Sequence, residues 1–373
     1  MSDEDLPESD RADDAPHPRA TLQLFGHVQA ETEVLDAISR DKLHHAWMIT
    51  GPSGIGKATL AWHMARHLIA TPPNSDGGLF GETPPAPTSL DISPDHPVTR
   101  RILAMSEPGL LLLRRAWDRD RKRLKAQITV DEVRKLGTFF GLSSTDGGRR
   151  VVLVDSVDEM NPSAANALLK VLEEPPKNAI LLLISHAPAR LLPTIRSRCR
   201  ELRLNSLNDR DMTAALTQAG FDTEHPEALT ALANGSVGQA IRLLSNEGPA
   251  LYQRIVNLLA QSPAMDRTEA LKLAEYASQR GADDRLNLTV QLMDQALSRA
   301  ARIGTGLPLA PEAIPNEHQM LTRLAPNLHA AQNLAQLQQD LSGRIAHGRA
   351  VNVDAQSLLL DALLKINDTA PRS

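Results

Sequence analysis

The run Gly51-Pro-Ser-Gly54-Ile-Gly56-Lys57 has the spacing G-x-x-x-x-G-K. Glycines let a backbone close round an anion with its amide N–H groups turned inward, the terminal lysine adds a cation, and a helix starting there adds its dipole. That is the chemistry of a polyphosphate cradle. The flanks suit it: Ala46 to Thr50 reads as a short buried strand, and Lys57 to Ala70 as an amphipathic helix with Leu60, Met64 and Leu68 every fourth residue. A glycine turn that merely caps a helix would not need this strand, turn and helix order.

The groups that would complete a hydrolytic site are missing. The residue after the lysine should carry a hydroxyl for magnesium, and it is Ala58; Thr59 lies about 100° further round the helix. Val151-Val-Leu-Val-Asp155 has the form of a Walker B strand whose terminal carboxylate holds the metal's other side. The next position, where a glutamate would polarise water, is Ser156, which is no general base at neutral pH. Asp158 and Glu159 read as a solvated turn. Gly51, Gly54, Gly56, Lys57 and Asp155 therefore predict a degenerate nucleotide site, with magnesium binding and turnover more impaired than nucleotide binding.

The elements that must position these residues can be read from the apolar runs. Leu110 to Leu113, Val151 to Val154 and Ile180 to Ile184 are nearly continuous rather than alternating, which predicts a parallel sheet covered on both faces, an α/β domain. Val28, Leu35 and Ile38 suggest one face of an earlier helix, and Asp131 to Phe140 another helix. Residues 71 to 97 hold seven prolines and three glycines and predict an irregular surface excursion. Beyond residue 205 the strand signals stop, and helical patterns punctuated by Gly220, Gly235 and Gly248 run to the end. The expected division is an acidic disordered tail over 1–20, an α/β domain over 21–205, a small helical lid over 206–248 and an all-α domain over 249–373.

Asn161-Pro-Ser-Ala-Ala-Asn166-Ala-Leu-Leu-Lys170-Val-Leu-Glu-Glu174-Pro-Pro176 predicts a helix stopped by two prolines, and Leu191-Leu-Pro-Thr-Ile-Arg-Ser197-Arg198-Cys199 follows it. With Gly26-His27 and His45-Ala46 ahead of the glycine loop, these segments resemble the clamp-loader branch of the AAA+ ATPases, over about residues 22–205 and more weakly at Arg349-Ala-Val-Asn-Val353-Asp354. The resemblance implies a ring of subunits, of gamma/tau and delta types, with ATP held between neighbours. It implies a helical collar at the carboxy terminus and work on a sliding clamp at primer-template DNA. It makes Arg198 an arginine finger reaching into the neighbour's ATP site, where a planar, permanently charged donor neutralises the transferred phosphoryl group. On residue type alone, Arg196, Arg198 and Arg200 equally suit a solvated loop edge.

The departures from that family point one way. Its hydrolysing members carry a lid arginine after a Gly-Ser pair, and Gly235-Ser236-Val237 is followed by Gly238, with Arg242 a turn later. Many members bind zinc through four cysteines after the glycine loop, whereas the only cysteine here is Cys199, so no zinc is expected. Losses at 58, 156 and 238, beside a retained Arg198, fit a chain that supports hydrolysis elsewhere.

Composition sets the outer bounds. The 373 residues suffice for two or three domains, and the net charge of −5 belongs to residues 1–20, which hold seven acids and two arginines. That segment lacks a secretory apolar core, no run is long enough to span a membrane, and a lone cysteine suits a reducing compartment, so a cytoplasmic location is expected. The stretch 114–125 holds seven bases and two acids. Arg121, Lys122 and Arg123 there, and Lys170 on the helix after the Walker B strand, are candidate contacts to DNA phosphates; an acidic partner or a solvated hairpin suits the stretch as well. Only Trp117 is near enough to stack on a base. His44 and His45 have no metal-like partner and read as structural. Two rival functions remain at this stage: an autonomous P-loop ATPase, and a DNA-binding adaptor with a vestigial nucleotide fold.

Overall fold

Four short apolar strands and a polar fifth determine the first half of the structure, a computed structural model that describes residues 7–12, 14–71, 87–141, 148–279, 283–308 and 311–371. They are β1 (Ala46–Thr50), β2 (Leu110–Arg114), β5 (Arg150–Asp155), β6 (Ala179–Ser185) and β7 (Arg200–Arg203), in the order β2-β5-β6-β1-β7, all parallel. A two-residue antiparallel pair, β3 (Trp117–Asp118) and β4 (Arg123–Leu124), forms a hairpin inside the basic stretch. The strand β7 is absent from the sequence reading. Its pattern Arg-Glu-Leu-Arg buries only Leu202, as suits the outermost strand of a sheet, and leaves no apolar run to detect.

Both sheet faces are covered. Helix α2 (Lys57–Ala70) lies on one, with Leu60, Met64 and Leu68 fully buried as their spacing predicts. On the other, Met48, Val152, Val154, Leu181 and Leu183 share a core with Val133 and Leu136 of α4 (Val130–Gly141) and Leu168 and Leu172 of α5 (Pro162–Glu173). Asn161 caps α5 through its side chain, and the prolines after Glu174 end it. The first helix, α1 (Val28–Ser39), turns a different face inward than expected. Ala30, Val34 and Ala37 are buried, Leu35 and Ile38 of the expected face are half-buried, and Val28 is 71% exposed.

The expected excursion over 71–97 lies outside the described residues from 72 to 86. Its later part returns through buried Leu90 to α3 (Pro97–Leu103). Of the amino-terminal segment expected to be disordered over 1–20, residues 1–6 and 13 lie outside the described residues, and the described part packs against the sheet unit. Asp10, Ala15 and His17 are buried, and a single 3-10 turn forms at Pro18–Ala20. The reason is long-range charge pairing, since Asp10 and Glu8 both bind Arg114, over a hundred residues away.

Contacts divide the chain into two units, Met1–Asp222 with Gly235–Ile241, and Thr223–Asn234 with Arg242–Ser373. Helix α7 (Asp209–Gln218) belongs to the first and α8 (Pro226–Ala233) to the second, so the segment 206–248 is shared between them, and the dividing line falls inside α9 (Val237–Ser245). The second unit continues through α10 (Gly248–Leu259), α11 (Arg267–Ala277), α12 (Asp283–Gly304), α13 (Glu317–Leu324), α14 (Leu328–Ala350) and α15 (Ala355–Thr369). Its core includes a buried carboxylate. Glu317 accepts from Arg299 Nε at 2.6 Å, Arg299 Nη2 at 2.7 Å, Tyr252 Oη at 2.5 Å and the Ala313 amide at 2.7 Å. Among the described residues, no helix is long and apolar enough to cross a membrane.

Candidate nucleotide site and candidate arginine finger

The loop after β1 is shaped by its glycines. Gly51, Gly54 and Gly56 have φ of 140°, 74° and 105°, values that side chains resist. A Cβ at Gly51 would lie 2.5 Å from the Leu204 carbonyl oxygen, and one at Gly54 would lie 2.4 Å from Ser236 Oγ. Three loop carbonyls are tied down: Ile55 O by His27 Nε2 at 2.7 Å, Ser53 O by Ser236 Oγ at 2.9 Å, and Gly54 O by the Gly238 amide at 3.0 Å. The start of α9 thus rests directly on the glycine loop.

That contact leaves little room for a side chain at 238. A Cβ at 238 would sit 3.2 Å from the Gly54 Cα, so a side chain there must push against the loop backbone. Gly238→Arg is accordingly expected to lower stability by about 1–3 kcal/mol through overpacking and to create no ATP turnover. Urea unfolding followed by tryptophan emission, with a phosphate-release assay, checks both. Arg242, the nearest cation in sequence, hydrogen-bonds the Asp284 carbonyl at 3.3 Å.

Loop, sheet edge and the α9 start enclose a cavity of about 520 Å³. Leu22, Phe25, Leu207 and Ile241 give it an apolar side; Lys57, Asp155 and His186 give it a polar end. Lys57 is buried and its Nζ donates to the carbonyls of Pro52 and Gly51, the latter at 2.7 Å; burial holds its pKa down to about 8 against the pull of Asp155 and Asp158. A lysine poised on backbone carbonyls can exchange them for phosphate oxygens. Glycine cradle, lysine and apolar side together fit a nucleoside phosphate.

They fit magnesium poorly. Ala58 lines the cavity without a ligand atom. Burial first, then the charges of Asp10 and Glu159, raises the Asp155 pKa to about 7, leaving this carboxyl part-protonated at neutral pH. Because the folded-state pKa lies above the unfolded one, stability falls as pH rises from about 4 to 7, and the loss is complete above 7. Asp155→Asn is expected to match the parent near pH 4 and to exceed it by about 4 kcal/mol at pH 8, taking ~1.4 kcal/mol per unit of a shift from 3.8 to about 7. Equal stabilities in urea at pH 8 would contradict this.

Asp158 departs from the solvated turn expected of it. It accepts from Ser185 Oγ at 2.9 Å and from the amides of His186 at 2.6 Å and Ala187 at 3.2 Å, which ties the end of β6 beside the site. Glu159 is likewise engaged, at 2.8 Å from Arg115 Nε. His44 and His45 are structural as read, stacked at 4.4 Å with His45 Nε2 on the Leu172 carbonyl.

Arg198 lies well away in sequence, between the short helix α6 (Pro193–Arg196) and β7, with its side chain 35% exposed. Its guanidinium is held in place, donating Nη1 to the Thr194 carbonyl at 2.9 Å and pairing Nη2 with Glu173 at 2.8 Å. Lys170, Arg121, Lys122 and Arg123 are all exposed. The basic stretch is less basic than it reads, because Arg114 is taken by Asp10 and Glu8, and Arg115 by Glu159.

A parallel sheet with a glycine cradle between its first strand and the following helix, and a mostly helical second half, define a P-loop ATPase fold of the AAA+ type. Residues 26–208 match the family described as "DNA polymerase III, delta subunit". The chain is 40% identical over 155 residues to DNA polymerase III subunit delta' of Pseudomonas aeruginosa, covering 42% of this chain and 41% of that protein. It is 26% identical over 212 residues to the delta' subunit of Bacillus subtilis, 57% of each. Over this region the chain is similar to DNA polymerase III subunits of the delta-prime type. The chain spans between about two fifths and three fifths of the length of these relatives. A Thermotoga maritima structure described as a gamma subunit-related protein aligns with TM-score 0.40 and 14% identity, over 92% of this chain and 99% of that one, too loosely to argue from.

Proposed function

We propose that this chain is the stator-like member of a clamp loader: it supplies Arg198 to the ATP site of a neighbouring gamma/tau-type subunit and turns over little or no ATP itself. Its carboxy-terminal helices join the collar, and the assembly, with a delta-type subunit, loads the sliding clamp onto primed DNA. The observation that carries this reading is the pairing of a half-exposed, positioned Arg198 with a site at which Ala58 offers no hydroxyl for a metal and Ser156 no base for water. An autonomous ATPase would need a second magnesium ligand, and Asp158, the nearest carboxylate in sequence, is already committed to three donors.

The test is reconstitution with gamma/tau- and delta-type partners, comparing the parent with Arg198→Ala in DNA-stimulated ATP turnover and clamp loading. Unchanged turnover removes the proposed role. Brisk turnover by the purified chain alone, abolished by Lys57→Ala, would favour the autonomous ATPase. Exposed Lys122, Arg123 and Lys170 are proposed as secondary contacts to DNA phosphates, read out as a shallower salt dependence of DNA binding when neutralised.

A further inference from the structure

The acidic amino-terminal segment is built into the wall of the nucleotide cavity. Ser9, Asp10, Arg11 and Ala12 line the same space as the glycine loop and Lys57. The segment is anchored along its length. Ser9 Oγ donates to the Arg115 carbonyl at 3.2 Å, Glu8 binds Arg19 at 2.7 Å and Arg114 at 3.1 Å, and Asp10, its side chain fully buried, binds Arg114. His17 stands edge-on to Trp62 at 5.9 Å, and the buried Arg66 donates to the Arg19 carbonyl at 2.8 Å.

Where Asp10 sits matters most. Arg114 ends β2 in register with Asp155, the last residue of β5, at the carboxyl edge of the sheet where a bound polyphosphate would end. An anion from the chain's own terminus already satisfies the cation at that place.

Glu8, Asp10 and His17 also bring three ligand-type atoms within 4.8 Å of one another, but they do not make a metal site. His17 Nδ1 accepts the Arg19 amide at 3.0 Å, which puts the ring proton on Nε2, facing Asp10 at 3.3 Å and Glu8 at 3.6 Å. The Arg114 guanidinium supplies the positive charge that the carboxylates would otherwise seek. The cluster is a clasp.

We infer that residues 8–12 and 14–20 form an autoinhibitory strap, clasped through Asp10 and Glu8 on Arg114, which a nucleoside triphosphate must displace to occupy this chain's own cavity. The apparent affinity is then the intrinsic one reduced by the fraction of molecules with the strap open. This concerns the chain's own pocket and stands or falls separately from Arg198.

The experiment uses the full chain and N-methylanthraniloyl-ATP. Hydrogen exchange of the amides at 9–20 is expected to rise when the nucleotide saturates the parent protein, and unchanged or increased protection overturns the inference. In parallel, Asp10→Ala is expected to bind the nucleotide at least tenfold more tightly than the parent. The charge-balanced Asp10→Ala/Arg114→Ala chain should keep that gain. If the gain vanishes in the double variant, the effect is local charge rather than strap release and the inference fails. It fails equally if neither parent nor Asp10→Ala binds.

Discussion

Under the function proposed above, replacing Arg198 by alanine in the assembled loader is expected to slow single-turnover hydrolysis at the neighbour's ATP site by about a thousandfold or more, the range measured for arginine fingers elsewhere. The size follows from what the residue does. Charge builds on the phosphoryl oxygens in a site from which water is excluded, and a guanidinium answers it with two donors in a fixed plane. Arg198→Lys should therefore recover little, because an ammonium keeps the charge and loses the fork. Nucleotide affinity at that site should change far less than the rate, since the contact matters chiefly in the transition state. Rapid-quench measurement of one turnover, with the neighbouring sites silenced, separates these effects. A drop of less than about tenfold would leave Arg198 as a loop residue held by Glu173 and nothing more.

The second large effect is structural. Glu317→Ala is expected to destabilise the helical unit by about 3–5 kcal/mol, because it strands the Arg299 guanidinium, 11% exposed, without its counter-charge. Tyr252 Oη and the Ala313 amide lose their acceptor in the same step. Glu317→Gln preserves shape yet still leaves the cation unpaired, so it should retain most of the loss. The chain provides its own reporters: both tyrosines, Tyr252 and Tyr276, belong to the helical unit, and Trp47, Trp62 and Trp117 to the sheet unit. A tyrosine-detected denaturation midpoint that moves by less than about 1 kcal/mol equivalent would mean the carboxylate is replaceable.

Much of the first unit was legible because local patterns and tertiary demands agree there. The glycine loop, the strands at 46–50, 110–113, 151–154 and 180–184, and the proline-stopped helix each carry a signal within a dozen residues. What escaped depends on partners far off in the chain. Asp10 is held chiefly by Arg114, and no pattern within the first 20 residues announces that partner. Asp158 looks like turn chemistry until β6 brings the amides of His186 and Ala187 to it. Edge strand β7 shows one buried leucine, too little periodicity to read. The inward face of α1 was misjudged because larger residues were taken as the core, where Ala30 and Ala37 make the contact. The losses at 58, 156 and 238 were readable as residue types; the reason for the glycine at 238 lies in its 3.2 Å approach to Gly54.

The glycine loop is braced from outside by His27, Ser236 and the Gly238 amide. A cradle already fixed in shape pays little ordering cost when it is occupied, so any response to occupancy falls on the amino-terminal strap rather than on the loop. Under the stator role proposed above, neighbours that cycle with ATP would be referenced to a glycine loop whose outline stays constant.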